Sequence, residues 1–250
     1  RKDLLSFAGS TDNPFDVKVR FKLLDRSSES SRENLSTNGV INGTDLFICS
    51  AVPKNSTYNL EACGYAFERF VLYAVSLGVG TTIIAGTFNR KGFEKAMPLG
   101  KAELMPLVSP LGHASDKQSL KERAMRRAVK ADLRKSWEEI FFDGSFEYPL
   151  TRQSAGMYEK ALDAVNLAPS AVNRQPWLIL RKDNVFHFFE KHSKGMGADP
   201  ESDIQRVDMG IAACHFALSM EDQGIACRFE TLDRAVKAPE GSDYSFSIIC

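Results

Sequence analysis

An excess of charge of either sign is missing from this sequence. Lys plus Arg and Asp plus Glu number 32 each, so there is no global positive field to gather nucleic acid. Long apolar runs are missing too, and none approaches the roughly 20 residues that span a bilayer. Histidine is scarce, four in 250 residues. His215 lies in an apolar helical pattern with Ser219, not a second ligand, four residues on, so it reads as a core histidine. Cysteine is scarce as well, and Cys49, Cys63, Cys214, Cys227 and Cys250 form no CxxC pair and no cluster with metal-ligand spacing. An odd, scattered set leads to the expectation of free thiols in a reducing cytoplasm rather than a disulfide scaffold. No GxSxG nucleophile elbow occurs. Gly78-Val79-Gly80 opens like a dinucleotide fingerprint, but it follows a helical pattern and lacks the third glycine, which excludes a Rossmann reading. No signal-peptide pattern stands at Arg1-Lys2-Asp3, and without an initiating Met the true N-terminus is expected upstream.

What is present is enough apolar material for a sizeable core, 43% of residues against 26% charged. Periodicity predicts strands at 17–24, 45–52 and 104–111, a surface loop at 26–44, and a core helix over 60–77 that Gly78 ends. Residues 116–135 are strongly charged and read as a solvated helix or crossover. A second series comes after it: a helix over 155–167, a hairpin of strands at 178–180 and 185–189, a Gly-rich loop at 191–203, a helix over 204–223 that Gly224 ends, and strands at 227–232 and 244–250.

The two core helices repeat one another. Gly64 and Gly78 stand fourteen residues apart, as do Gly210 and Gly224, and at the same offset of 146 Ala66 meets Ala212, Phe70 meets Phe216 and Leu72 meets Leu218. This predicts two related halves, 1–145 and 146–250, with small residues allowing close helix packing. Asp208, near the start of the second helix, reads as structural rather than as an acid or base.

Chemistry concentrates where the helix over 155–167 gives way to the next strand, in Pro169-Ser170-Ala171-Val172-Asn173-Arg174-Gln175-Pro176-Trp177. Small residues and prolines permit close backbone approach to a flat ligand, while Ser170, Asn173 and Gln175 bring groups that donate and accept together. That set suits a heterocycle edge with mixed donors and acceptors. On spacing alone, an ordinary helix-to-strand connection fits equally well.

The run resembles the flavin-contacting segment of the nitroreductase family, most closely the branch in which two nitroreductase halves are fused in one chain. Asp208 to Phe216 is similar to the core helix of that branch's second half, and Leu77 to Gly86 to the loop that lies against the flavin ring. The resemblance implies an α+β fold: a central, mostly antiparallel sheet with helices around it, arranged as an intrachain pseudo-dimer. It implies FMN as cofactor, with Ile83, Ile84, Ala85 and Gly86 along the ring, a main-chain N–H reaching the flavin N5, and Pro169, Ser170, Ala171, Asn173 and Gln175 from the other half. In the family each flavin takes one such element from each side of a dimer. Only one element of each kind stands in this sequence, so one flavin per chain is expected. Arg134 and Lys135 match the family's late basic pair for the phosphate, with Arg126 and Arg127 as alternatives. The family's early Arg-x-Ser-x-Arg element does not occur here: either it lies upstream of Arg1 or FMN binds weakly. The implied activity is transfer of hydride from NADH or NADPH through FMN to an electron-poor acceptor, a nitroaromatic or quinone, with no side-chain nucleophile, metal, membrane or nucleic acid. The alternative is a flavin-binding or scaffold protein without turnover.

Overall fold

The computed structural model describes residues 2–28, 34–41, 43–113, 120–193, 203–231 and 236–250. Parts of the loops expected at 26–44 and 191–203, of the charged stretch 116–135, and the end of the strand expected at 227–232 lie outside the described residues. The chain divides into two compact units, Arg1–Arg126 and Arg127–Cys250.

In the first unit, α1 (Lys2–Ser10) precedes a hairpin of β1 (Arg20–Asp25) and β2 (Leu46–Pro53). The core helix α2 (Asn59–Ser76) comes next, then β3 (Gly80–Thr81), α3 (Arg90–Ala96), β4 (Glu103–Leu104) and β5 (Val108–Gly112), and α4 (Leu120–Ala128) begins in this unit and ends two residues past Arg126. The sheet runs β1-β2-β5-β3, with β4 also on β2, and every pairing is antiparallel. β2 reads as an unbroken apolar run because both of its faces are covered. Phe47, Cys49 and Ala51 join a core with Phe93 and Met97, while Ser50 faces α2, its Oγ 3.2 Å from the Cys63 sulfur. Phe7 of α1 stacks on Tyr73 of α2 with ring centroids 4.1 Å apart.

The second unit holds α5 (Trp137–Ile140), β6 (Phe141–Asp143), β7 (Ser145–Pro149), α6 (Arg152–Ala155), α7 (Glu159–Leu167), β8 (Trp177–Lys182), β9 (Val185–Lys191), α8 (Ile204–Asp222), β10 (Arg228–Glu230) and β11 (Ser242–Ile249). Its sheet runs β10-β11-β9-β8-β6-β7, antiparallel except where β6 lies parallel to β8. Phe186 and Phe188 of β9 meet Phe216 of α8, with centroids 4.8 and 6.0 Å apart. Alternate residues, Leu178, Leu180 and Phe189, bury the other sheet face against Phe142, Phe146 and Tyr244.

The architecture is α+β and mostly antiparallel, as the sequence predicts. The strands form two sheets, one in each unit, because each hairpin pairs with a strand that comes after its own core helix. The wiring is the same in both: β1-β2-β5-β3 in one, β8-β9-β11-β10 in the other.

One expectation is corrected. Cys227 and Cys250 form a disulfide. They extend the β10–β11 register, in which Arg228 faces Ile249, so the ladder brings together two thiols 23 residues apart in sequence. Cys49, Cys63 and Cys214 are buried thiols. Burial pushes the Cys63 thiol up to about 12, against the hydrogen bond from Ser50. Among the described residues no helix is long and apolar enough to cross a membrane.

Candidate functional site

In the first unit, the stretch after β3 is pinned at three points. The Thr82 N–H donates to Ser109 Oγ at 3.0 Å. Ile84 exchanges two backbone bonds with Val108, at 2.8 and 3.0 Å, and is buried. The Ala85 carbonyl accepts from the Arg90 guanidinium at 2.9 Å, which also bonds the Met105 carbonyl. Ile83 and Ala85 are half-buried and Gly86 is exposed. The Ile84 N–H is therefore spent on the sheet. Among the described residues the N–H groups of Ala85 and Gly86 have no partner, and a Cβ placed on Gly86 would meet nothing within 4 Å. The loop offers two main-chain donors beside open space, on a backbone fixed by its neighbours.

In the second unit, α7 stops because Pro169 follows Ala168, which leaves the helix at ψ 139°. Ser170 is extended, and the chain then makes a tight turn through Val172 (φ 44°) and Asn173 (φ 56°), with Gln175 also left-handed at φ 48°. A β-branched residue such as Val172 rarely adopts this conformation, and each such residue costs on the order of 1–3 kcal/mol unless its surroundings impose it.

The surroundings here do impose it. The Gln175 N–H donates to Ser170 Oγ at 2.9 Å. The Ala171 N–H is shared by both carboxyl oxygens of Asp208, at 3.0 and 3.1 Å. Asn173 donates its amide hydrogens to the carbonyls of Lys130 and Leu133, at 2.7 and 2.9 Å, and accepts from Arg134 and Gln175. Gln175 is buried, accepts the Lys135 N–H at 2.9 Å, and donates to Asn173 and the Leu133 carbonyl. Arg134 further bonds the carbonyls of Ala131, Leu133 and Leu167.

The predicted residues of this unit are thus gathered in one place, with divided roles. Asn173 and Gln175 spend their amides holding the turn and the 130–135 segment. Ser170 accepts one bond, and among the described residues its hydroxyl hydrogen is not committed. Pro169 is exposed and Ala171 half-buried. Lys135 places its ammonium 2.9 Å from the Gln175 carbonyl, which leaves two of its three hydrogens. Burial first, then the cations Lys191 and Arg174, hold its pKa below the usual lysine value, with Glu139 opposing.

Sequence reasoning assigned Asp208 no part in the turn. It is buried, and its carboxyl is held well above the usual range by that burial, then by Glu190 and Asp203, against the stabilising Ala171 N–H. The signal available was a carboxylate within the apolar stretch of a helix, whose counterpart at the same offset is Ala62.

The family model described as "Putative TM nitroreductase" matches residues 10–220. No curated protein matches the chain. Among solved structures, the chain is similar to a "putative nitroreductase" from Thermotoga maritima, at 16% identity over 100% of this chain and 84% of that one, with a TM-score of 0.58. That likeness bears on the fold alone. It is also similar to a nitroreductase family protein from Clostridium novyi NT, at 20% identity over 48% of this chain and 77% of that one, TM-score 0.36. An iodotyrosine deiodinase bound to FMN and 3-iodo-L-tyrosine matches at 14% identity over 47% of this chain and 80% of that one, TM-score 0.35. The last two scores are too low to bear on the fold.

Proposed function

The chain belongs to the nitroreductase family whose model matches it, and from that premise we propose that it is an FMN-dependent oxidoreductase serving NADH or NADPH and a small electron-poor acceptor. The observation that carries this reading is the strained Ser170–Gln175 turn: a partly buried polar network holds it in a costly shape and leaves the Ser170 hydroxyl free to donate. Such outlay on one exposed turn is characteristic of binding sites.

The residues fit the group. A flavin edge presents acceptor atoms, and the Ala85 and Gly86 N–H groups and the Ser170 hydroxyl are donors without partners among the described residues. A phosphate needs cations, and Lys135 has hydrogens to give and neighbouring positive charge that Glu139 alone does not offset. When bound, FMN supplies two-electron hydride chemistry between a reduced nicotinamide and a nitroaromatic or quinone.

The chain's own residues do the rest. Ile83 and Ile84 give the ring an apolar neighbour. Ala85 and Gly86 donate main-chain hydrogens toward it, and the open space at Gly86 admits it closely. Ser170 donates to a second edge, with Pro169 and Ala171 beside it. Arg134 and Lys135 carry the positive charge, while Asn173 and Gln175 keep the turn and the basic segment in register. We further infer that the units are an intrachain pseudo-dimer and that the chain works in the cytoplasm, a location against which the Cys227–Cys250 disulfide weighs. The redox state of the Cys227–Cys250 pair in cells reports directly on that location.

The test is anaerobic. The purified full chain should retain FMN, show the flavin band near about 450 nm, lose it on addition of NADPH or NADH, and regain it with a nitroaromatic or quinone. A protein that takes up no FMN contradicts the flavin reading. One that keeps FMN but is bleached by neither nucleotide leaves the second reading, a flavin-binding or scaffold protein without turnover. The absence of an Arg-x-Ser-x-Arg element from residues 1–250 favours that alternative.

A further inference from the structure

The two core helices bury the same face, yet they differ in polarity at three buried positions, Glu61 against Val207, Glu68 against Cys214 and Ala62 against Asp208, and the last of these touches the candidate site. At the offset of 146 that superposes their sequences, Ala62 of α2 corresponds to Asp208 of α8, and both are buried. Ala62 shows that packing at this position requires no polar group. A carboxyl sealed from water is unfavourable unless something compensates it. The compensation at Asp208 comes from the Ala171 N–H, which both oxygens accept at 3.0 and 3.1 Å. Among carboxylates, Glu190 of β9 and Asp203 at the N-cap of α8 act on it unfavourably. The carboxyl is therefore not explained by the helix, the sheet or an ion pair. It is explained by the turn it touches, and only the second unit has that turn.

We propose that Asp208 is the positioning residue of the Ser170–Asn173 turn: by taking the Ala171 N–H it fixes the direction in which Ser170 offers its hydroxyl to a flavin. The proposal rests on the flavin reading above. The mechanism is geometric. Asn173 and Gln175 hold the far end of the turn from the 130–135 segment, and Asp208 holds the near end from α8. Without the near anchor, the left-handed Val172 relaxes and Ser170 loses its orientation, although the Gln175 N–H still bonds its oxygen.

Two substitutions separate position from charge. Asp208→Asn keeps an oxygen that can accept the Ala171 N–H, and Asp208→Ala removes it. Three quantities are read on the full chain: hydrogen exchange at the Ala171 amide, thermal midpoint, and FMN affinity by fluorescence quenching. We expect Ala171 to be protected in wild type and in Asp208→Asn and to exchange freely in Asp208→Ala. FMN affinity should stay within about threefold in Asp208→Asn and fall by about tenfold or more in Asp208→Ala, the size of one net hydrogen bond. The loss should persist at temperatures where both variants are fully folded. Should Asp208→Ala fail to fold, Asp208→Leu, closer in size, gives the same contrast.

The proposal is overturned if Asp208→Ala binds FMN as wild type does, or if only its thermal midpoint falls while affinity is kept. It is equally overturned if Asp208→Asn loses FMN with Ala171 still protected, because charge rather than position would then be at work. If wild type itself takes up no FMN, the flavin reading fails, and the exchange data still show whether Asp208 holds the turn.

Discussion

The helix of the first unit and that of the second are closely matched in packing and unlike in chemistry. Each of the eleven residues buried in α8 has a buried counterpart in α2 at an offset of 146, so the two helices present one and the same face to their sheets. Their ends match as well. Gly78 and Gly224 take φ of 73° and 74°, and the next N–H groups along, of Val79 and Ile225, return to the carbonyls of Ala74 and Met220 at 2.9 and 3.0 Å. The flanking segments are unlike. After α2 the chain runs into the pinned 82–86 loop with its open donors. After α8 it enters β10, which the Cys227–Cys250 disulfide ties to β11. Ahead of the helices the units diverge too, since only the second has the strained turn and the carboxyl beneath it. Two helices alike in their packing thus stand beside unlike polar groups, the open main-chain donors of the 82–86 loop in one unit and the strained turn in the other.

The comparison can be broken most forcefully at the shared aromatic. Phe70 and Phe216 are both fully buried and sit at equivalent positions. Truncation of either to Ala should cost about 3–5 kcal/mol in denaturant unfolding, and a marked difference between them would show that equal burial hides unequal packing. Next comes the feature that only one unit has. Reduction of Cys227–Cys250 should cost about 2–4 kcal/mol, and the double Cys→Ser variant should match the reduced wild type and show no further response to dithiothreitol. The helix ends give a smaller, paired effect: Gly78→Ala and Gly224→Ala should each lose about 1–2 kcal/mol, because both positions are left-handed.

The least conspicuous effect is a slope with pH. Asp208 has its pKa raised on folding, so its contribution to stability is whole below the ordinary carboxylate value and is lost as pH rises through the folded pKa. Glu190 and Asp203 act in the same direction as burial, and only the Ala171 N–H opposes them. Asp208→Asn carries no such titration, so its stability relative to wild type should climb over that window. Unfolding curves collected from acid to neutral pH would show it.

Much of this was legible in the residues. The 3.6-residue periodicity of α2 and α8 and the glycines that stop them are local signals, and so are the hairpin of β8 and β9 and the apolar run of β2. The content of 169–177 was visible as a polar cluster at a helix end. Its inner workings were not, because Gln175 and Asn173 are consumed by Lys130, Leu133 and Lys135, some forty residues away. Nothing in the local sequence marks which amides turn inward. The Cys227–Cys250 pair was hidden for a related reason, since only the register of β10 on β11 makes the two neighbours. The parallel seating of β6 on β8 is likewise a tertiary choice, made by a three-residue strand with no pattern of its own.

The central claim is that one duplicated core retains a single set of flavin-holding groups. Its most direct measurement is the stoichiometry of FMN binding to the full chain by calorimetric titration. The account predicts one FMN per chain, with Ser170→Ala and Lys135→Ala each weakening binding without changing that number. Two FMN per chain, or none, would contradict it.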